Sequence, residues 1–407
     1  MGYPLAMAII WIICGLLFWW NNERKKPSDI ESGVKEWPYV TILIPCHNES
    51  QIISNTCKQL LKIDYPNYRV VFIDDASSDH TAEVIREWTE KVINFHLLRL
   101  EENQGKSNAL NSAIAVTGNT PVILIMDADT LPHPSTIKIL VKSLISSPDI
   151  GAVTGHPIVY NRSNVLEKIQ SIEFTAIIGL IKRAQNLYGN LFAISGCIAA
   201  FKTEAIFKAG GFSVKTATED IDITWRLQKN LYRVEFIPQA IVYIQVPDKL
   251  KEFWKQRKRW ALGGWHLLRT HGDVFFRWKW RRLWLLYLDV LLSYIWSLLF
   301  LIGTILGTTN LLLMDKVLGF NPLPTYGSIL ILVCLIQYII SFKLSHPYDA
   351  YIWKLSFWVP LYPVFYFYNG ALMVCLTAIK GLFQDLDSVG KWRSPARINN
   401  PKRIKGL

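Results

Sequence analysis

Apolar residues fall along this chain in two rhythms. Residues 4–20, 283–306, 329–342 with their flanks, and 355–378 are nearly unbroken apolar runs, which predict four membrane spans. The first run ends in Trp19-Trp20 and is followed by Glu23-Arg24-Lys25-Lys26. It has neither the basic start nor the small-residue cleavage site of a signal peptide. It reads as an anchor over residues 1–21 whose carboxyl end stays on the basic, cytoplasmic side. Residues 22–37 form a polar linker. From residue 38 the rhythm shortens to apolar runs of four or five residues, at 40–44, 69–73, 95–98 and 122–126, separated by helical patterns at 48–61, 81–92 (Asp79 as N-cap) and 106–115. Such β-α-β-α spacing predicts an α/β domain over 38–249 with a doubly wound, mostly parallel sheet. Past Ser147 the alternation loosens to a strand at 151–155, a helix at 163–183, a strand at 193–201 and a helix at 220–227. No Gly-x-Gly-x-x-Gly follows a strand, which disfavours a dinucleotide-binding domain.

Composition sharpens the membrane reading. The 407 residues are 51% hydrophobic with 16 Trp, too apolar for an ordinary soluble enzyme. The net charge of +12 gathers beside apolar segments, which favours lipid headgroups over nucleic acid. The six cysteines show neither metal-binding spacing nor a disulfide framework, as expected on a reducing face. Residues 250–282 hold ten Lys and Arg, two acids and five Trp, the mark of amphipathic helices in a membrane interface. Residues 283–380 supply about three spans, with Asp289 inside one of them as a candidate channel-facing or snorkelling group. Residues 381–407 form a basic tail. Three spans after a cytoplasmic domain put that tail outside, whereas its charge predicts inside.

Candidate chemistry sits at the carboxyl ends of the predicted strands, where open α/β sheets bind ligands. Asp127 and Asp129 flank Ala128 after an apolar run. Two carboxylates two residues apart in extended chain point the same way and suit a hard divalent cation that also holds phosphates. Asp75 follows the second strand and can accept hydrogen bonds from a nucleobase or ribose. Lys106 follows Asn103-Gln104-Gly105 at a helix start, a place for phosphate. Gly196 interrupts a small-residue strand, either as a bulge or as a point where a sugar approaches the backbone. Thr218-Glu219-Asp220 opens a helix, either as caps or as the carboxylate that deprotonates an acceptor hydroxyl. On the helix after 250, Leu250, Phe253, Trp254, Ala261, Trp265 and Leu268 form one stripe. Gln256, Arg259, Trp260 and Gly263 share another face, offering an amide, a phosphate-binding guanidinium, a ring to stack on a sugar, and clearance.

These motifs carry a resemblance. Pro45-Cys46-His47-Asn48-Glu49, Asp74-Asp75-Ala76-Ser77-Ser78-Asp79, Asn103-Gln104-Gly105-Lys106, Asp127-Ala128-Asp129 and Thr218-Glu219-Asp220 resemble the successive motifs of family 2 glycosyltransferases. Ala76 stands where glycine is usual, and Asp74 where asparagine is common. Gln256-Arg257-Lys258-Arg259-Trp260 resembles the Q-x-x-R-W motif of the processive members. The stretches 153–157, 177–183 and Trp392-Arg393-Ser394-Pro395 resemble bacterial poly-β-1,6-N-acetyl-D-glucosamine synthases of biofilm matrix. The resemblance implies a GT-A fold, inverting transfer, UDP-N-acetylglucosamine as donor, Mg²⁺ or Mn²⁺, a growing polysaccharide and a small membrane partner subunit. It further implies that Asp75 holds the uridine, with Lys106 at the uracil or diphosphate end. Asp127 and Asp129 take the metal and donor, with Asp129 the more direct ligand, and Asp220 is the base. Gln256, Arg259 and Trp260 bind diphosphate and acceptor. Another polymer of the hyaluronan or chitin type, and a transporter or receptor that only senses nucleotide, remain alternatives.

Overall fold

The computed structural model describes residues 2–24, 33–117, 119–313 and 322–386. After α1 (Gly2–Asn22), strands β1 (Val40–Cys46), β2 (Tyr68–Asp74), β3 (Phe95–Arg99) and β4 (Val122–Met126) alternate with α2 (Ile53–Leu60), α3 (Thr81–Lys91) and α4 (Lys106–Thr117). β1 lies parallel to both β2 and β4, and β2 parallel to β3, so these strands end at one edge. Ile42 and Ile44 pack into one face and Leu43 into the other, as period-two side chains must. With helices on both faces, every residue of β1 and β4 is buried.

The second half of the sheet departs from strict winding. It contains β5 (Leu131–Pro132), α5 (Thr136–Ile145), β6 (Ile150–Val159), α6 (Val165–Ala176), a π-helical turn (Ile177–Ile181), α7 (Lys182–Leu187), β7 (Ile198–Lys202), α8 (Thr203–Lys208), α9 (Glu219–Lys229) and β8 (Arg233–Ile244). The strand order is β3-β2-β1-β4-β7-β6-β8-β5, with β7 antiparallel to both its neighbours and β6 parallel to β8.

Within the sheet domain four features differ from the sequence expectation. The helix expected from 48 starts at Ile53, because Asn48 takes a left-handed φ of 57° and the Glu49 and Ser50 amides donate to Thr81 and Asp79 side chains. The strand expected from 193 starts at Ile198. Residues 193–197 instead form a loop, in which the Ser195 amide donates to Thr154 Oγ1 at 2.8 Å. The helix expected over 163–183 is interrupted by the π turn. β8 was not anticipated, although Arg233-Val234-Glu235-Phe236 begins an alternation whose every second residue is buried.

Beyond the sheet lie α10 (Leu250–His271), two 3₁₀ turns (Gly272–Phe276 and Trp278–Trp280), α11 (Arg281–Leu313), α12 (Pro322–Ser345), a 3₁₀ run (Ile352–Trp358) and α13 (Leu361–Phe383). Among the described residues four helical segments are long and apolar enough to cross a membrane: Gly2–Asn22, Trp278–Thr309, Ser328–Ser345 and Leu361–Phe383. The last starts later than expected, because Pro360 has no N–H to give and takes the N-cap position. Asp289 receives the Tyr3 hydroxyl of α1 at 2.6 Å. The Trp392 motif and the basic residues from Lys391 onward lie outside the described residues, as do residues 25–32 of the 22–37 linker.

The apolar stripe of α10 is covered by protein. Phe253, Ala261, Trp265 and Leu268 are buried, and Trp265 donates to Val374 of α13 at 3.1 Å and meets Tyr294 of α11 edge-on. Leu250 and Trp254 stay exposed. The aromatic surface instead falls in the turns after α10, where Phe276 and Trp278 are 87% and 70% exposed beside Arg277, Lys279, Arg281 and Arg282.

Candidate active site

Four strand-end loops and two helices meet around a cavity of about 650 Å³. Lys106, Asp127 and Asp129 line it from the sheet edge, Gly196 and Cys197 from the loop before β7, and Glu219 and Asp220 from the start of α9. Gln256, Arg259 and Trp260 close it from α10. Every sequence-predicted site residue except Asp75 and Gly263 therefore lines one cavity.

The sheet edge is tightly tied. Asp75 is fully buried, and its two carboxylate oxygens accept the Gln104 and Gly105 amides, each at 2.9 Å. This shapes the turn that carries Lys106, with Gly105 at a φ of 84° that favours glycine. Ala76 also adopts a left-handed φ, 50°, which accounts for the glycine usual in the resembling motif. Lys106 Nζ bridges Asp127 at 2.7 Å and Glu219 at 2.9 Å. Burial alone would lower the Lys106 ammonium, but Asp127 and Glu219 outweigh it and hold the group above the ordinary lysine range.

The three carboxylates of α9 are sorted by their partners. Glu219 takes Lys106, and although burial raises its carboxyl, Lys106 and Arg259 bring it below the usual range. Asp222 is buried and bonded to Arg226 at 2.7 Å and His271 at 3.1 Å, away from the cavity. Among the described residues the Asp220 carboxylate receives only the Ile221 amide of its own helix, at 2.9 Å. Burial, and next the charge of Glu219, push its carboxyl up to about 6. A Cβ on Gly196 would lie 3.0 Å from Asp220 Oδ2, so this glycine makes room for the carboxylate. Gly263 likewise gives clearance to protein: a Cβ there would stand 2.1 Å from Thr218 Oγ1. The absent side chain lets α10 close on the N-terminus of α9.

On α10, Gln256 Oε1 is buried without a hydrogen-bond partner among the described residues. Arg259 is exposed and reaches Ala217 O at 3.4 Å. Trp260 is half-buried, edge-on to Phe174 with ring centroids 6.4 Å apart, and Arg257 lies 4.2 Å over its ring. Arg257 is held in turn by a buried two-pronged pair with Glu173.

The α6–α7 wall was missed as a site. Glu173, Phe174, Ile177, Ile178, Ile181, Lys182 and Gln185 face the cavity from it. Its signals in the sequence were a cationic pair, Lys182-Arg183, closing an apolar helix, and the resemblance of 177–183, neither of which points to a cavity wall.

Comparison with known proteins now decides the family. The model of "Glycosyltransferase like family 2" matches residues 38–263. The chain belongs to glycosyltransferase family 2. A poly-β-1,6-N-acetyl-D-glucosamine synthase of Staphylococcus aureus is 32% identical over 98% of both chains, and one of Staphylococcus epidermidis is 30% identical over 98% of this chain and 97% of that one. A mannosyltransferase of Pyrobaculum calidifontis, solved with GDP-Man and Mn²⁺, shares the GT-A fold with a TM-score of 0.55 at 21% identity. That match covers 94% of this chain and 98% of the other. This glycosyltransferase is therefore an enzyme built on a GT-A sheet, with apolar helices before and after it.

The two aspartates fit a divalent cation. They present hard oxygens to the cavity, and a cation, Lys106, already neutralises Asp127. Among the described residues no three His, Cys, Asp or Glu side chains cluster as a complete protein site. Ligands from a bound diphosphate would complete the shell, as is usual for Mg²⁺.

Proposed function

We propose that this enzyme is a processive, inverting synthase that polymerises N-acetylglucosamine from UDP-N-acetylglucosamine into poly-β-1,6-N-acetyl-D-glucosamine. The observation that carries the reading is the cavity that Asp220 lines together with Asp127, Asp129, Gln256, Arg259 and Trp260. Full-length similarity to the staphylococcal synthases supports the product.

In this mechanism Asp127 and Asp129 hold Mg²⁺ or Mn²⁺, which when bound neutralises charge on the departing UDP. Asp75 sets the donor turn that receives the uridine, and Lys106 lies at the diphosphate end. Asp220 takes the proton from the acceptor hydroxyl as that oxygen attacks the anomeric carbon from the side opposite UDP. A carboxyl raised to about 6 is still ionised at neutral pH, yet basic enough to accept that proton. Arg259 adds positive charge for the diphosphate. Gln256 offers its orphaned amide oxygen to a hydroxyl, and Trp260 gives a ring face to the acceptor sugar. Gly196 keeps the wall beside Asp220 open.

The layout follows the same reading. Residues 38–249 form the catalytic domain on the cytoplasmic side of a bacterial cell membrane, and α1, α11, α12 and α13 span it. The basic and aromatic turns within residues 250–282 meet the lipid headgroups. Growing polysaccharide leaves past these helices, and a small membrane subunit completes the assembly.

The test is purified full-length protein in lipid nanodiscs with labelled UDP-sugars. UDP release and polymer should appear with UDP-N-acetylglucosamine, stop on chelation, and return with Mg²⁺ or Mn²⁺. The product should yield to a β-1,6-N-acetylglucosaminidase. Resistance to that enzyme with sensitivity to chitinase or hyaluronidase would assign another polymer, and no UDP release from any nucleotide sugar would end the reading.

A further inference from the structure

Lys182 is a buried cation that the mechanism above does not use. It is 7% exposed, lines the cavity and donates to Ser195 Oγ at 2.7 Å. An ammonium has three donors. Among the described residues Ser195 accepts one, and the ring of Phe236 lies 6.0 Å away. Leaving a charged donor buried without acceptors is costly, so such a group points to an oxygen-rich ligand.

Its surroundings say which part of the ligand. The wall that carries Lys182 begins at Phe174, which touches Trp260, and continues through Ile177, Ile178 and Ile181. The π turn at Ile177–Ile181 is the kind of local irregularity found at functional sites. Ser195 is itself fixed, its amide donating to Thr154 Oγ1 while that hydroxyl donates to Ile198 O at 2.8 Å. Cys197 and Asp220 are near enough to act on Lys182 electrostatically, and Lys182 acts in turn on buried His156. It thus stands where the wall leading from Trp260 reaches Asp220. Lys106 and Asp127 of the sheet edge pair among themselves and with Glu219 of α9.

We propose that Lys182, steadied by Ser195, binds the terminal sugar of the acceptor chain through its hydroxyl or acetamide oxygens and orients it toward Asp220. The inference rests on the glycosyl-transfer reading. Burial lowers the ammonium to about 8, against the charges of Cys197 and Asp220, so the contact weakens as pH rises through that value.

The experiment uses full-length protein in nanodiscs with UDP-N-acetylglucosamine and a short β-1,6-linked N-acetylglucosamine oligosaccharide, comparing wild type, Lys182→Met and Lys182→Arg. UDP binding reports folding, and Lys182→Arg keeps the charge should Lys182→Met fail to fold. Lys182→Met should raise the half-saturating oligosaccharide concentration about 10- to 100-fold, the loss of a charged hydrogen bond, and shorten the polymer. Donor KM and UDP affinity should stay within about two-fold, below what one such bond carries. Wild type should lose acceptor affinity as pH rises through about 8, and Lys182→Arg should not. A wild-type acceptor response in Lys182→Met, or an equal rise in donor KM, overturns the proposal. Absence of transfer by wild type overturns the functional reading instead.

Discussion

The two sides of the cavity are built differently. The sheet-edge side comes from consecutive β-α units, and its key contacts are short ties between neighbouring strand ends, such as Asp75 to Gln104 and Gly105. The opposite side is assembled from the π-broken α6–α7 wall, the loop before β7, the start of α9 and a helix packed under two candidate membrane spans. Its fit depends on absent side chains, at Gly196 and Gly263, as much as on present ones. On the proposed reading, the half that takes the nucleotide is a local structure, whereas the half that takes the acceptor exists only once distant segments have packed. Donor binding and acceptor transfer should therefore separate under mutation.

The largest separation is expected at Asp220. Asp220→Asn should cost on the order of 10²–10⁴ in transfer rate while UDP binding persists, because an amide fills the same space but takes no proton. In wild type the rate should fall as pH drops through about 6, where the base becomes protonated. A pH–rate profile with its acid limb near an ordinary aspartate, or a rapid Asp220→Asn enzyme, would break the assignment.

Lys106→Met probes a side chain that ties the two sides together. It removes the cation shared by Asp127 and Glu219. Donor KM should rise about 10- to 100-fold, the value of a charge-assisted contact. Lys106 also lowers the Asp220 carboxyl, so its removal should move the acid limb to higher pH. An unmoved limb would show that the two sides are electrically independent.

Gly263→Val tests the packing of the assembled side. Its Cβ would fall against Thr218, forcing α10 off the start of α9. Thermal melting should show about 1–3 kcal/mol of lost stability, and transfer should drop more than UDP binding. Ala76→Gly tests the local side in the other direction. It relieves a left-handed alanine and should add about 1 kcal/mol, seen as a small rise in melting temperature with turnover unchanged.

Much of this was legible in one dimension because its physics is local. Apolar runs of five residues become buried strands, and unbroken runs of twenty become candidate spans, since each pattern reports the surroundings of its own segment. The paired aspartates were readable because a strand's period places alternate side chains on one side. β8 was equally readable from its alternation and was overlooked. Three other features had no local signal. The stripe on α10 looked fit for lipid, and only the packing of α11 and α13 over Trp265 showed that protein covers it. Gly196 and Gly263 looked like space for a sugar, but the neighbours that need the space, Asp220 and Thr218, lie 24 and 45 positions away in sequence. Lys182 looked like the polar end of an apolar helix until folding placed it beside Ser195 in the cavity. Periodicity records whether a residue faces water or core, whereas the identity of its neighbour is set by how helices and loops from remote parts of the chain close on one another.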